Sequence, residues 1–172
     1  MARRVGRRVG QVAAGVAALS AVLLVRHAVA LRHAEWVGDD MARPLSVRGL
    51  AQAAALVEQL AEFPIRRVLA SPATRCVQTV APLATSRGLT VEISAALAEG
   101  AGGRAVEFVS ALGIDGGVVL CSHGDVIPDV LDSLGGGGHA IDAPRCKKGS
   151  TWVIIERADG TRRGDRYLPP PA

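Results

Sequence analysis

Three short apolar runs constrain this chain most, because each stops abruptly at polar residues that a core strand cannot hold. Ala21–Val25 runs into Arg26-His27-Ala28, Arg67–Ala70 into Ser71-Pro72-Ala73-Thr74-Arg75, and Gly117–Cys121 into Ser122-His123-Gly124. Runs of this length, apolar on successive residues, suit strands buried on both faces. The intervening stretches read as helices. Ser46 is an expected N-cap for a helix to about Glu62, with Leu50, Ala53, Leu56, Val57 and Leu60 at helical spacing. Ser71-Pro72 is expected to open a second helix that runs to about Ser86 and stops at Gly88. Gly103–Leu112 and Val126–Leu134 read as two more helices, and Thr90–Ile93, Thr151–Glu156 and Gly164–Leu168 as further strands. Strand and helix in alternation predict a three-layer α/β/α domain with a mostly parallel central sheet.

In a parallel sheet the carboxyl ends of the three core strands share one edge, where ligands of such sheets bind. Arg26, His27, Arg75 and His123 would then converge on one rim. Guanidinium forks match the oxygens of a phosphate, and helix N-termini add backbone donors, so the cluster reads as an anion site. Phosphoryl transfer needs mainly positioning and charge neutralisation. Two arginines provide both without a metal, and a neutral, oriented imidazole can attack phosphorus.

Composition narrows the partners. The 172 residues fit one domain, expected over 19–172 behind a loose extension at 1–18. Aromatic residues are 3% of the chain, too few for the stacking platforms of single-strand nucleic-acid binders. The net charge is +4, but Arg3, Arg4, Arg7 and Arg8 account for much of it, and the remainder suits a small anionic substrate better than a nucleic-acid surface. Cys76, Cys121 and Cys146 form no C-x-x-C pair and are expected to be reduced and mostly buried. The arginines precede an apolar run over 12–25, which is short for a membrane span and ends in residues needed for the first strand. The expected location is the cytoplasm, with export or anchoring through residues 1–25 as the alternative.

The ordered set resembles the histidine phosphatase superfamily, with its phosphoglycerate mutase-like fold. The matching phrases are L-V-R-H-A at 24–28, S-P-A-T-R-C-V-Q-T at 71–79, L-A-E at 97–99 and S-H-G at 122–124. The resemblance implies that His27 is the phosphorylated nucleophile, that Arg26, Arg75 and His123 complete the phosphate pocket, and that Glu99 falls where some branches carry a proton donor. It implies no cofactor or metal. The stretch D-D-M-A-R-P-L-S-V-R-G at 39–49 is similar to short bacterial phosphohistidine phosphatases, and C-S-H-G-D-V-I-P and K-G-S-T-W to phosphatase domains fused to Nudix hydrolases. Alanine follows His27 where mutases have glycine, and the mutases' long insertion is missing, which argues against mutase activity. The implied partner is a small phosphorylated substrate, a nucleotide among them, or a phosphohistidine protein.

Other polar residues have plainer readings. Arg43 fits two roles equally, fixing its loop or touching substrate. His33 and His139 read as exposed loop residues. Lys147 and Lys148 read as solubilising charges, or as contacts for an acidic leaving group. Gly135–Gly138 reads as a flexible linker, since no G-K-[ST] follows to make a P-loop. The competing function is a phosphate-recognising binding module with weak turnover.

Overall fold

The computed structural model describes residues 21–113, 116–134, 145–156 and 159–172. The extension expected over 1–18, the glycine run at 135–138 and His139 lie outside the described residues. In chain order the elements are β1 (Ala21–Arg26), α1 (Val47–Gln59), β2 (Ile65–Ala70), α2 (Thr74–Ser86), β3 (Val91–Ile93), α3 (Gly102–Ala111), β4 (Gly117–Ser122), α4 (Val126–Leu134), β5 (Thr151–Glu156) and β6 (Arg162–Leu168). They form one six-stranded sheet in the order β3-β2-β4-β1-β5-β6. β1, β2, β3 and β4 run parallel, while β5 pairs antiparallel with both β1 and β6.

Alternate residues of the central strands feed opposite layers, as the two-residue period of a strand requires. Ala21, Leu23 and Val25 pack with Leu56 of α1, with Leu60 just beyond its end, and with Cys76, Val80 and Leu83 of α2. Val22 and Leu24 pack with Ala105 and Val109 of α3 and with Val126, Ile127 and Val130 of α4. Both faces are therefore dry, and this explains why β1 and β4 are apolar without alternation. The edge strands β3 and β6 are largely exposed and carry charges such as Glu92, Arg163 and Arg166, which discourages edge-to-edge pairing. Among the described residues no helix is long and apolar enough to cross a membrane.

Of two helix starts read from the sequence, one agrees with the structure and one differs in an instructive way. Ser46 does cap α1, its Oγ accepting from Gly49 N at 3.2 Å. Ser71 does not cap α2. That helix begins at Thr74, after an Ala73 without a side-chain cap, and the Ser71 hydroxyl turns instead to His123.

Candidate active site

The parallel register brings the ends of β1, β2 and β4 level: Arg26 lies beside Ser122, and Ala70 beside Cys121. The main chain carries the same pairing one residue further, because His27 N–H donates to Ser122 O at 3.0 Å and Ser71 N–H to Cys121 O at 3.0 Å. Arg26, His27, Arg75 and His123 are thus brought together at one end of the sheet, and each is largely buried. They flank or line a pocket of about 400 Å³, whose floor includes Arg26, His27 and Arg75 and whose upper wall includes Arg43, Glu99 and Lys148.

His27 is 6% exposed, and its Nδ1 lies 2.8 Å from the Ala28 carbonyl oxygen. A carbonyl only accepts, so Nδ1 carries the proton and Nε2 keeps its lone pair. Burial lowers the ring's pKa to about 3. The Ala28 bond opposes this in part, and the nearby charges of His123, Arg75 and Arg26 reinforce it. The imidazole is therefore neutral throughout the ordinary pH range. His123 stands at its side, with ring centroids 5.4 Å apart in an edge-to-face arrangement. His123 is 1% exposed and lies just outside the pocket lining.

The arginines are held from behind. Arg26 donates through Nη1 to the Cys146 carbonyl and packs against Gly124, where a Cβ would come within 2.6 Å of the guanidinium carbon. Arg75 donates to the Asp40 carbonyl at 2.8 Å and to Glu99 Oε2 at 2.8 Å, and lies 3.2 Å from Asp40 Oδ2. Arg26 Nε, Arg75 Nε and His123 Nδ1 are buried with no partner among the described residues. Buried polar atoms are almost always satisfied, and of the six among the described residues that are not, three cluster beside this one neutral imidazole. Thr79 links the two arms of this floor: its Oγ1 accepts from Ala28 N at 2.9 Å and donates to Arg75 O at 2.6 Å.

Other expected residues fall as follows. Glu99 lies at the pocket wall, 59% exposed, with its carboxylate on Arg75. Its loop is tied down by Gly100 N–H donating to Asp125 at 2.7 Å and by Ser122 Oγ–H donating to Leu97 O at 2.8 Å. Arg43 fixes its own loop, donating to Asp40 Oδ1 and to Leu31 O at 2.7 Å each, and also lines the pocket. His33 is 79% exposed, as expected, yet it lines the rim and approaches Asp40 at 3.3 Å. Lys148 lines the pocket too. Its turn is docked by Gly149 N–H, which donates to the carbonyls of both Arg26 and His27 at 3.1 Å. Gly149 has φ +85°, with the Gln52 amide packed on it. Partial burial and the charges of Arg26, Arg43 and Arg75 lower the Lys148 pKa.

Sequence reasoning missed Asp40, which gathers Arg43, Arg75 and His33 around one carboxylate. Arg43, foremost, and Arg75 hold its pKa below the usual carboxylate range. Its only signal was its place in the D-D-M-A-R-P-L stretch. Cys76 and Cys121 are free and buried and Cys146 is free and partly buried, as expected.

A three-layer fold with paired arginines and histidines at the carboxyl edge of its sheet defines a class of phosphoryl-handling proteins. Residues 22–110 match the model of the histidine phosphatase superfamily (branch 1), and the chain belongs to that superfamily. It is 39% identical over 161 aligned residues to an 8-oxo-(d)GTP phosphatase of Mycolicibacterium smegmatis, covering 87% of this chain and 48% of the relative. The chain thus spans about half the length of that curated relative. The protein histidine phosphatase SixA in complex with tungstate superposes with a TM-score of 0.69 at 22% identity, over 87% of this chain and 97% of that one. A phosphoserine phosphatase from Entamoeba histolytica gives 0.66 at 14% identity, over 86% and 95%. These two likenesses are of fold.

Proposed function

We propose that the protein hydrolyses a phosphorylated substrate through a phosphohistidine on His27, without a metal. The observation that carries this reading is the neutral His27 beside three unpartnered donors, on Arg26, Arg75 and His123. In the proposed cycle those donors grip the equatorial oxygens as His27 Nε2 attacks phosphorus in line. The bond to the leaving group breaks, and water then displaces the phosphoryl group from His27, returning the imidazole and inorganic phosphate.

Glu99 bears on the leaving group. One oxygen of its carboxyl group is already engaged by Arg75 Nη2 at 2.8 Å, which makes Glu99 a poorly placed proton donor for the leaving group. This favours substrates whose leaving group needs little help, such as a phosphohistidine protonated on its ring or a nucleotide phosphoanhydride, over simple alkyl esters. The name of the Mycolicibacterium smegmatis relative puts nucleotides among the candidates. We place Arg43 and Lys148 against the leaving group's side of the pocket.

Phosphate release in the presence of EDTA tests the reading. Wild-type protein should turn over p-nitrophenyl phosphate or a nucleoside diphosphate, and His27→Ala should lose roughly 10³-fold or more. Equal rates in the two proteins would defeat the proposal.

A further inference from the structure

His123 is one of the three orphan donors only if the proton sits on Nδ1, and an imidazole can as easily carry it on Nε2. The surroundings of Nε2 bear on the choice. Ser71 Oγ lies 2.8 Å from it, and Cys76 Sγ 3.5 Å. Ser71 is wholly buried, at the first position after β2. Its Oγ already accepts from Ala73 N at 3.4 Å, and its own N–H is committed to Cys121 O. The hydroxyl proton is therefore free to go to Nε2. Cys76 has an acceptor of its own in the Ser122 carbonyl, at 3.8 Å.

We propose that Ser71 is a positioning residue that donates its hydroxyl proton to His123 Nε2, so that His123 keeps its proton on Nδ1 and presents it to the transferring phosphoryl group. This rests on the His27-centred reading above and extends it to a residue that touches no substrate. It also explains why Ser71 leaves the N-terminus of α2 uncapped: the hydroxyl serves the histidine rather than the helix. The titratable groups against His123 are His27, just past β1, and Cys76 of α2; Arg26 and Arg75 bear on the neighbouring His27, and Cys121 on Cys76.

Two measurements test this. The first is the long-range proton–nitrogen imidazole spectrum of the wild-type protein, which needs neither turnover nor a variant. It should show Nε2 of His123 unprotonated and Nδ1 protonated near neutral pH, and the opposite tautomer would overturn the proposal. The second is the pH profile of Ser71→Ala. At pH 8 its kcat should fall by about 10–100-fold with KM little altered, since a misplaced donor is felt in the transition state. Acid should shrink the deficit, because a doubly protonated imidazole carries the Nδ1 proton without help. Ser71→Thr, which keeps a hydroxyl, should recover most of the rate. In Ser71→Ala/Cys76→Ala the acid-side recovery should persist, which assigns the proton to His123 rather than the thiol. A deficit that is constant with pH, or a Thr variant as slow as the Ala variant, would reduce Ser71 to a packing role. Failure of the His27 reading would look different, as His27→Ala would then keep its turnover while the spectrum stayed the same.

Discussion

At the floor of the pocket the charged side chains are buried and held by partners far away in sequence, whereas at the rim they are exposed and tied mainly to near neighbours. Arg75 is 1% exposed and is gripped by Asp40 and Glu99, 35 and 24 residues away. His27 is set by the register of β1 against β4. At the rim, Arg32 is 81% exposed and pairs with Glu35 three residues on, and His33 is 79% exposed. Exposed pairs of this kind contribute little and are screened by salt. A buried guanidinium that loses its partners costs far more. On the proposed reading, the floor holds still while phosphorus moves, and the rim is free to vary with the leaving group.

The contrast can be broken or sharpened by substitution. The largest effect is expected at the floor: Arg75→Ala should lower kcat/KM by about 10²–10³-fold, as loss of one preorganised donor does elsewhere. Phosphate release measures it, and a loss under tenfold would remove Arg75 from the floor. Gly124→Ala should come next, at about 10²-fold, because the new Cβ would displace the Arg26 guanidinium. Its melting temperature should change much less than its rate. An unchanged rate would mean that Arg26 has room to give. At the rim, Lys148→Ala should raise KM only about threefold to tenfold with kcat nearly constant, and added salt should shrink the difference. A large kcat effect would move Lys148 from rim to floor.

The smallest expected effect is the acid-side response of the nucleophile. With His27 depressed to about 3, its attack should not weaken between pH 7 and pH 5, and a loss centred near pH 6.5 that vanishes in no other variant would contradict a neutral, buried ring. Folding stability should behave differently. The unfolded chain protonates His27 near pH 6.5 and the folded chain only near 3, so the unfolded state binds more protons in between. Stability is therefore lost as pH falls through that window. Urea denaturation of His27→Gln against wild type, at pH 7 and pH 4.5, should show a shallower decline in the variant.

The same division explains what could be read from the sequence. Arg26, His27, Arg75 and His123 follow strands whose apolar runs are unmistakable, and parallel strands bring their ends to one edge by geometry alone. Val126–Leu134 and Thr151–Glu156 were legible to the residue, because apolar periodicity marks them. The antiparallel turn of β5 and β6 was not, since nothing local distinguishes a returning strand from a crossing one. Asp40 was opaque, and Lys148 was read only as a solubilising charge or a contact for an acidic leaving group, for a related reason. Their positions depend on contacts across the fold, with Arg75 in one case and with the Arg26 and His27 carbonyls in the other. Ser71 was misread as a helix cap because Ser-Pro before a helix is a common local signal, and only the tertiary fold brings His123 within reach of its hydroxyl.

The central claim is the covalent step on His27, and the stereochemical course at phosphorus tests it whether or not an intermediate accumulates. A phosphorothioate substrate made chiral at phosphorus with sulfur and two oxygen isotopes, hydrolysed in water carrying the third, should give inorganic thiophosphate with retention of configuration, since two in-line displacements invert it twice. Inversion would mean that water attacks the substrate directly, and would contradict a phosphohistidine on His27.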